Sequence, residues 1–268
     1  MKFLIYLKYY LHKIVQKILG FFNLRLTNNS RFEDNLKKAK SYYLVNFLKI
    51  CEDKNLKKII DIYPNTKSQW LQDLFVLKSL NFKEKGFFVE FGACDGIKLS
   101  NSYVLEKYFN WNGILSEPAK GFHDSLKENR KCFLNYDCVS NETNNKVEFR
   151  ETKYRELSTT KDNAFNDKYR FQRLSGESYF VQTISLNDLL LKYNCPSRFE
   201  YLSVDTEGSE YEILENLDFN KFLPKIITVE HNYINKKRDK IYELLSRNGY
   251  KRVFKEISYC DDWYINNN

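Results

Sequence analysis

The sequence predicts an α/β fold in which helices cover both faces of a mostly parallel sheet. From residue 86 onward, apolar stretches of strand length alternate with stretches of helix length. The strands FFVEF at 87–91 and KIITVE at 225–230 have consecutive apolar residues at their centres, which is typical of strands buried on both faces. The chain has 268 residues, 43% of them apolar and 29% charged, which favours a globular protein.

The alternation predicts seven strands and five helices in this region. The strands are 87–91, 113–116, 133–139, 199–205, 225–230, 249–254 and 257–264, and the helices are 100–109, 119–129, 185–193, 208–217 and 236–248. The last two strands are close in sequence and predict an antiparallel edge pair, while 146–151 predicts a short further strand. Residues 150–179 are polar without a clear period, so they predict a long loop that serves as a lid or binding element.

A basic helical extension, residues 1–67, is expected in front of a domain at 68–268. Residues 1–60 contain 13 Lys and Arg and 4 Asp and Glu, a net charge of 13 − 4 = +9 against +8 for the whole chain, so the rest is nearly neutral. Residues 2–22 segregate Leu, Ile and Phe from Lys and His, which predicts a basic amphipathic helix. Such a helix either lies on an anionic membrane surface or packs on protein.

Two helical segments are expected between this helix and the first strand. Residues 36–60 form a Lys-rich segment that should break at 61–66, where Pro64 lies. The helix SQWLQDLFVL at 68–77 should begin at Ser68 as its N-cap. The six cysteines include no C-x-x-C pair, and no cleavable signal is recognised, so we expect a reducing cytoplasmic location. Peripheral contact at the inner membrane face is expected where the helix at 2–22 lies on the membrane rather than on protein.

A tight turn after the first strand, FVEFGACDG at 88–96, predicts a ligand site. The glycines Gly92 and Gly96 let main chain approach a ligand, and Ala93 lies in the same turn. Their spacing differs from the G-x-G-x-x-G of dinucleotide sites, and no Gly-Lys-Ser/Thr follows. Glu90 and Asp95 would repel a pyrophosphate, whereas they suit a cofactor that carries a sulfonium and an ammonium.

Two further acids follow the second and third strands. Glu117 ends the strand of GILSEPAK and can accept hydrogen bonds from both hydroxyls of a ribose. Asp137 ends the next strand, where it either meets an adenine amino group or makes a plain turn.

A second constellation lies at two later strand ends. Asp205 ends the strand of YLSVDTEGSEYEIL, and Glu230 and His231 end that of KIITVEHN. These groups predict a base that deprotonates a hydroxyl, with Asp205, Glu230 and His231 as candidates. Alternatively, Asp205 and Glu230 hold a divalent cation such as Mg²⁺. Glu207 and Glu210 also complement a helix dipole, and His231 is equally compatible with a strand-end cap.

The motifs SQWLQDLFVL, FVEFGACDG, GILSEPAK, VDTEGSEYEIL and VEHN resemble the FkbM-type branch of class I methyltransferases over residues 68–260. The resemblance implies a seven-stranded Rossmann-like sheet, the cofactor S-adenosyl-L-methionine and methyl transfer to hydroxyl groups. It carries Glu90, Gly92, Asp95, Gly96 and Glu117 to the cofactor site and Asp205 to the active cleft. Cys94 stands where many class I enzymes have a second glycine.

The residues and the resemblance together predict an O-methyltransferase. The expected acceptor is a sugar hydroxyl in a surface glycan or lipid-linked saccharide. One alternative is a soluble methyltransferase of a polyketide or other small metabolite, and another is a non-catalytic binding protein on the same fold. No nucleic-acid partner is expected, because the core is nearly neutral and lacks an N/D-P-P-Y/F motif.

Overall fold

The structure, a computed structural model, describes residues 41–51, 53–164, 170–173 and 176–266. The chain divides into two compact units, Met1–Lys49 and Ile50–Asn268. Residues 41–49 of the first unit are helical, and the amphipathic helix predicted at 2–22 lies outside the described residues. Among the helices described, none is long and apolar enough to cross a membrane.

The second unit contains eight α-helices and eleven strands in its described part. The helices are α1 (Asp53–Ile62), α2 (Gln72–Ser79), α3 (Tyr103–Phe109), α4 (His123–Asn129), α5 (Arg170–Arg173), α6 (Leu186–Lys192), α7 (Glu210–Glu215) and α8 (Asn235–Arg247). The strands are β1 (Phe87–Phe91), β2 (Asn112–Ser116), β3 (Phe133–Asn135), β4 (Cys138–Ser140), β5 (Lys146–Glu151), β6 (Thr159–Thr160), β7 (Glu177–Ser185), β8 (Arg198–Val204), β9 (Leu223–Glu230), β10 (Tyr250–Val253) and β11 (Asp261–Asn266).

Seven of these strands form one sheet in the order β10-β11-β9-β8-β1-β2-β3. Within this sheet, β3, β2, β1, β8 and β9 run parallel to one another, whereas β11 is antiparallel to both β9 and β10. The predicted mostly parallel sheet of seven strands with an antiparallel edge pair is confirmed. The order reverses beside β1, and ligands of open α/β sheets bind at the carboxyl ends of the strands near such a reversal.

Both faces of this sheet are covered by side chains from helices. On β11, Trp263 stacks on Phe75 of α2, with ring centroids 4.6 Å apart, whereas its neighbour Tyr264 belongs to the main apolar core. Successive strand residues point to opposite faces, so these two contacts lie on opposite sides of the sheet. The main core joins Val89 and Leu202 of the sheet to residues of α6, α7 and α8, such as Ile241.

A second sheet departs from the sequence prediction. The strand expected at 133–139 is two strands, because a turn that includes a hydrogen bond from Asn135 Nδ2 to the Asp137 carbonyl (3.0 Å) interrupts it. β4 then joins a four-stranded sheet of order β4-β7-β5-β6. The polar stretch 150–179 contributes β6, α5 and the start of β7 to this part of the molecule. The sequence of β7 does not show the alternation of apolar and polar residues that predicts a strand, because the apolar residue Phe180 lies on its exposed face.

Two predicted boundaries move because hydrogen bonds hold the loops that precede these elements. Ser68 is not the N-cap of α2, which begins at Gln72, and its hydroxyl instead donates to the buried Asp73 (2.6 Å). The last strand begins at Asp261, since two turns precede it, closed by hydrogen bonds from Ile257 N to the Phe254 carbonyl and from Asp261 N to the Ser258 carbonyl. The Lys-rich segment is interrupted at Ile50 and Cys51, where the helix at 41–49 has ended, and its second helix ends at Ile62, next to Pro64 as expected.

We expect Gly113→Ala to lower the free energy of unfolding by about 1–3 kcal/mol, because overpacking a strand contact has this cost. A Cβ at Gly113 would lie 2.3 Å from the main-chain oxygen of Phe88 on the paired strand β1. Chemical denaturation checks this, with Lys251→Ala on the exposed edge of β10 as the control. Equal stability of Gly113→Ala and the parent would contradict the close approach of β1 and β2.

Candidate active site

A cavity of about 460 Å³ opens at the carboxyl ends of β1, β2, β8 and β9. Its volume lies within the range of small-molecule sites. Its lining comes from the turn after β1, the acids at the ends of β2, β8 and β9, the segment before α2, and the segment 155–160. The predicted role of 150–179 as a binding element agrees with this placement, since part of it walls the cavity.

The turn after β1 brings main chain into the cavity. Gly92 has φ +69°, and a Cβ there would lie 2.2 Å from the main-chain oxygen of Asp205. No side chain fits between these strands, so the glycine is required at this position. Cys94 has φ +50°, a left-handed conformation that glycine adopts more easily, and it also lines the cavity. Ala93 is buried in the turn and is not among the lining residues.

Glu90 lines the cavity and also braces the loop that follows it. Its Oε1 accepts from Asn101 N (2.6 Å), and its Oε2 accepts from the hydroxyls of Ser100 and Ser102. The buried Arg130 donates to both of these serines. Burial raises the pKa of Glu90, and the Arg130 charge partly opposes this shift. Protein donors therefore engage the carboxylate that was expected to face the cofactor's positive charge.

Asp95 and Gly96 lie in the turn without lining the cavity. The carboxylate of Asp95 accepts from the main-chain N–H groups of Ile97 and Lys98, at 2.8 and 2.7 Å. The Gly96 carbonyl accepts from the Arg130 guanidinium at 3.0 Å. Both residues hold the shape of the turn in this structure.

Glu117 lies after β2 and faces the cavity, as the sequence predicts. Its Oε2 accepts from Cys94 N (2.8 Å) and its Oε1 from Ala119 N (2.9 Å). Each carboxylate oxygen has a further lone pair, so two more donors can be accommodated. Burial raises the pKa of Glu117 to about 7, although the two backbone hydrogen bonds oppose the shift.

Asp137 is not placed at the cavity. Its Oδ2 lies 3.4 Å from Lys192 Nζ, and its carbonyl accepts from Ser116 and Asn135. The lining beyond Glu117 is formed instead by Cys138, Val139 and Phe149. Sequence reasoning missed these, because apolar residues of the second sheet give no signal of a binding role.

Asp205 and Glu230 meet at the other end of the cavity. The register of β8 and β9 pairs Val204 with Val229, so the next residues of these parallel strands are neighbours. Their carboxyl groups are hydrogen-bonded to each other. Burial raises the pKa of each well above its ordinary range, and the charge of Glu207 raises both further. The charge of Asp205 also raises the pKa of Glu230, whereas the hydrogen bond with Glu230 partly lowers that of Asp205. Such an environment favours a pair that holds one proton, because two ionised carboxylates in contact repel each other.

The acid pair has two polar neighbours. Asn232 Nδ2 donates to Glu230 Oε2 at 2.6 Å. Glu207 extends the cluster, and the buried Arg173 guanidinium donates to its Oε2 at 2.9 Å. Carboxylate oxygens of Asp205, Glu207 and Glu230 lie within 4.8 Å of one another. Arg173 escaped sequence reasoning, because nothing in the polar stretch 150–179 distinguishes one basic residue from another.

Two residues that the sequence grouped with this cluster have other partners. Glu210 is fully buried, where its carboxylate accepts from Gly208 N (2.9 Å) and pairs with Lys237 Nζ (2.7 Å). His231 is 1% exposed and does not line the cavity. Its Nδ1 accepts from Tyr233 N at 3.0 Å, and burial lowers the pKa of the imidazole. The structure therefore does not bring the expected histidine base into the cavity.

The sequence also missed an acid on the far side of Glu230. Asp261 pairs with Glu230 across β11 and β9, and its Oδ2 accepts from Gln72 Nε2 at 2.7 Å. Burial raises the pKa of Asp261 to about 7. Asp205, Glu230 and Asp261 thus form a row across three neighbouring strands, next to Gly92. The row depends on strand order, which the sequence does not show directly.

Comparison with known proteins identifies the family. A model described as the methyltransferase FkbM domain matches residues 90–252, more than half of the chain. The chain belongs to the FkbM methyltransferase family. The resemblance expected from the sequence is therefore confirmed, and the sheet is that of a Rossmann-like class I methyltransferase. No curated protein matches the chain.

Several solved structures are similar at low sequence identity. The methyltransferase FkbM of Methylobacillus flagellatus KT is 12% identical, with a TM-score of 0.48, over 85% of this chain and 59% of that one. This chain thus spans less than two thirds of that protein. A precorrin-6y C5,15-methyltransferase of Geobacter metallireducens GS-15 is 13% identical, with a TM-score of 0.37, over 72% of this chain and 85% of that one. A SAM dependent methyltransferase of Aquifex aeolicus is 12% identical, with a TM-score of 0.36, over 78% and 96%.

The cavity fits S-adenosylmethionine, the cofactor that the family implies. Gly92 brings main chain to the cavity wall, and the free lone pairs of Glu117 can accept both ribose hydroxyls. Val139 and Phe149 supply an apolar wall for a flat base. Of the predicted cofactor residues, Glu90, Gly92 and Glu117 line the cavity. Their contacts with the cofactor stay a prediction.

We expect the affinity for S-adenosylmethionine to rise with pH through about 7, where burial places the pKa of Glu117. An ionised carboxylate accepts two hydroxyl donors, whereas the protonated acid accepts fewer, so binding lowers this pKa. Calorimetry from pH 6 to 8 checks the slope. Glu117→Gln should bind S-adenosylmethionine about tenfold more weakly, and its affinity should no longer show the part of the pH dependence that comes from Glu117.

The control is Glu128→Gln, which alters an exposed carboxylate on α4. It should keep both the parent affinity and the parent slope. If Glu117→Gln and the parent show the same dependence on pH, the ribose contact assigned to Glu117 is wrong.

Proposed function

We propose that this chain transfers a methyl group from S-adenosylmethionine to a hydroxyl group of a saccharide, in a surface glycan or a lipid-linked precursor. The observation that supports transfer to oxygen is the hydrogen-bonded pair Asp205 and Glu230 in the cavity, beside the turn at Gly92. A hydroxyl must lose its proton to become a methyl ether, and this pair is the proton acceptor that the cavity offers.

S-adenosylmethionine supplies, when bound, a methyl group that is already activated as a sulfonium. The protein therefore contributes alignment of the acceptor and removal of its proton. Asp205 and Glu230 share one proton, so one carboxylate oxygen is free to accept the hydroxyl proton of the acceptor. A buried carboxylate with a raised pKa is a stronger base than an exposed one, which suits so weak an acid.

Glu207 and Arg173 set the charge around this pair. Arg173 offsets the charge of Glu207 through a 2.9 Å contact, so the cluster is less negative than three carboxylates alone. A guanidinium in this position favours a proton-sharing pair over a divalent cation, because a cation there would meet a like charge. Asp205 and Glu230 as ligands of Mg²⁺ or another divalent cation remain the alternative, supported by the 4.8 Å spacing of the oxygens.

We expect Asp205→Asn and Glu230→Gln each to lower methyl transfer by about 100-fold or more, because both keep the shape of the side chain and remove a base. Affinity for S-adenosylmethionine should stay within about threefold of the parent, since these residues are assigned to the acceptor end. Transfer of radiolabelled methyl to a panel of free saccharides and nucleotide sugars is the measurement. Glu212→Gln, on the exposed face of α7, is the control.

Parent-level transfer in either variant would contradict the role of the pair. Removal of divalent cations with EDTA separates the two mechanisms. Unchanged transfer supports the shared proton, whereas loss of transfer that Mg²⁺ restores supports a cation at Asp205 and Glu230. Transfer to small phenols or polyketide alcohols, with none to saccharides, would establish the small-metabolite alternative. Failure to bind S-adenosylmethionine would favour a non-catalytic binding protein.

We also propose that the chain works in the cytoplasm, in peripheral contact with the inner membrane face. The support is the basic amphipathic pattern of residues 2–22. Apolar burial and attraction of Lys to anionic lipid would both contribute to binding.

We expect the full chain to sediment with vesicles of phosphatidylglycerol and to bind those of phosphatidylcholine about tenfold less, because the Lys side chains need anionic lipid. Deletion of residues 1–25 should abolish this binding and leave the affinity for S-adenosylmethionine unchanged. An equal membrane fraction with and without these residues would overturn the proposal.

A further inference from the structure

Two aromatic side chains lie at the acid end of the cavity and have no role in the chemistry described so far. Trp70, in the segment before α2, and Tyr233, in the turn after β9, both line the cavity. Trp70 is half-buried and Tyr233 is 58% exposed. Sequence analysis singled out neither, because aromatic residues are frequent along this chain.

A short series of contacts ties Trp70 to the acid pair. Its Nε1 donates to Cys260 Sγ at 2.9 Å. The Cys260 carbonyl accepts from His231 N (2.8 Å) and Asn232 N (3.2 Å), and Asn232 donates to Glu230. The indole therefore stands on the same junction of β9 and β11 that carries Glu230. Glu117, assigned to the ribose, lies on the far side of Gly92 in the strand order.

Both rings are held in place from behind. Tyr259 packs against the Trp70 indole, with ring centroids 4.7 Å apart, and does not itself line the cavity. Tyr233 has φ +60°, a conformation that a bulky residue adopts at a cost. The His231 imidazole accepts from Tyr233 N and meets its ring edge-on at 5.8 Å. His231 is thus a positioning residue for Tyr233.

The groups between the rings and the acids are polar. Gln69, Asn232 and Ser209 line this part together with Asp205 and Glu230. A ligand that covers them must supply hydrogen bonds of its own, because buried carboxylates without donors are costly. A flat hydrocarbon ring matches the aromatic walls and leaves the acids unsatisfied. A sugar ring presents C–H groups on its face and hydroxyl donors at its edge.

We propose that Trp70 and Tyr233 form the acceptor subsite and bind a saccharide ring, whose carbon face packs on the aromatic rings while its hydroxyls reach Asp205 and Glu230. This inference rests on the function proposed above and assigns specificity to residues outside the acid cluster. The aromatic rings select for a ring with an apolar face, and the acids select for hydroxyl donors.

The experiment is saturation-transfer NMR on the full chain loaded with S-adenosylhomocysteine, with glucose, galactose, mannose, rhamnose and N-acetylglucosamine as probes. We expect saturation of the ring C–H protons of at least one sugar. Trp70→Ala and Tyr233→Ala should each weaken its binding about tenfold, while Trp70→Phe should retain most of it. Phe180→Ala, which removes an aromatic ring on β7 that is 66% exposed and outside the lining, is the control.

The readouts separate this proposal from the function on which it rests. If S-adenosylhomocysteine does not bind the parent, the proposed function fails. If it binds all variants equally and no sugar is saturated, the saccharide subsite is overturned. Saturation that survives both alanine substitutions overturns the assignment to Trp70 and Tyr233. Saturation of phenol in place of the sugars, lost in the same variants, replaces the saccharide with an aromatic acceptor.

Discussion

The hydrogen bond between the carboxyl groups of Asp205 and Glu230 is the constraint on which the rest of the site depends. It joins the ends of β8 and β9, neighbouring parallel strands whose register makes these residues adjacent. Two ionised carboxylates at this position would repel each other in a buried environment, so the environment favours a pair that holds one proton. The surrounding residues can be understood by what they do to this pair.

Acidic residues that the sequence does not distinguish differ in the source of their hydrogen-bond donors, which is either the protein itself or a bound ligand. Glu90 receives three donors from residues 100–102, and Glu210 receives main-chain donors and Lys237. These carboxylates are satisfied within the fold and stabilise loops. Asp205 and Glu230 rely mainly on each other and on Asn232, and they line a cavity. A ligand with donors is what completes their environment, which distinguishes this pair from Glu90 and Glu210.

Much of this could be predicted from residue pattern. Apolar strands ending in Gly92, Glu117, Asp205 and Glu230 must bring those residues to one edge of a parallel sheet, and they do. Partners distant in sequence could not be predicted. Arg173 reaches Glu207 across 34 positions, and Gln72 reaches Asp261 across 189. Asp137 failed to reach the cavity because a turn at Asn135 sends the chain into a second sheet, an event without a periodic signal.

His231 lies at the end of β9 as the sequence predicts, but the structure does not support its predicted role as a base. It follows β9 directly, as a base beside Glu230 would, yet its Nδ1 accepts the main-chain N–H of Tyr233. A lone pair used in this way is not available to a hydroxyl proton. The imidazole instead fixes a turn in which Asn232 and Tyr233 both have positive φ. Asn232 then reaches Glu230 and Tyr233 reaches the cavity, so the histidine influences the acceptor end through its neighbours.

Arg173 couples the charge of the site to the shape of its wall. Its Nε donates to the Leu157 carbonyl at 2.7 Å while its guanidinium holds Glu207. Leu157 and Glu207 both line the cavity, and Thr159 Oγ1 donates to the Glu207 carbonyl at 3.0 Å. Displacing the segment 155–160 would therefore pull the balancing charge away from the acid cluster. Arg173 therefore both holds the wall segment 155–160 in place and supplies the positive charge that offsets Glu207. A change in the position of this wall also changes the electrostatic balance of the acid cluster.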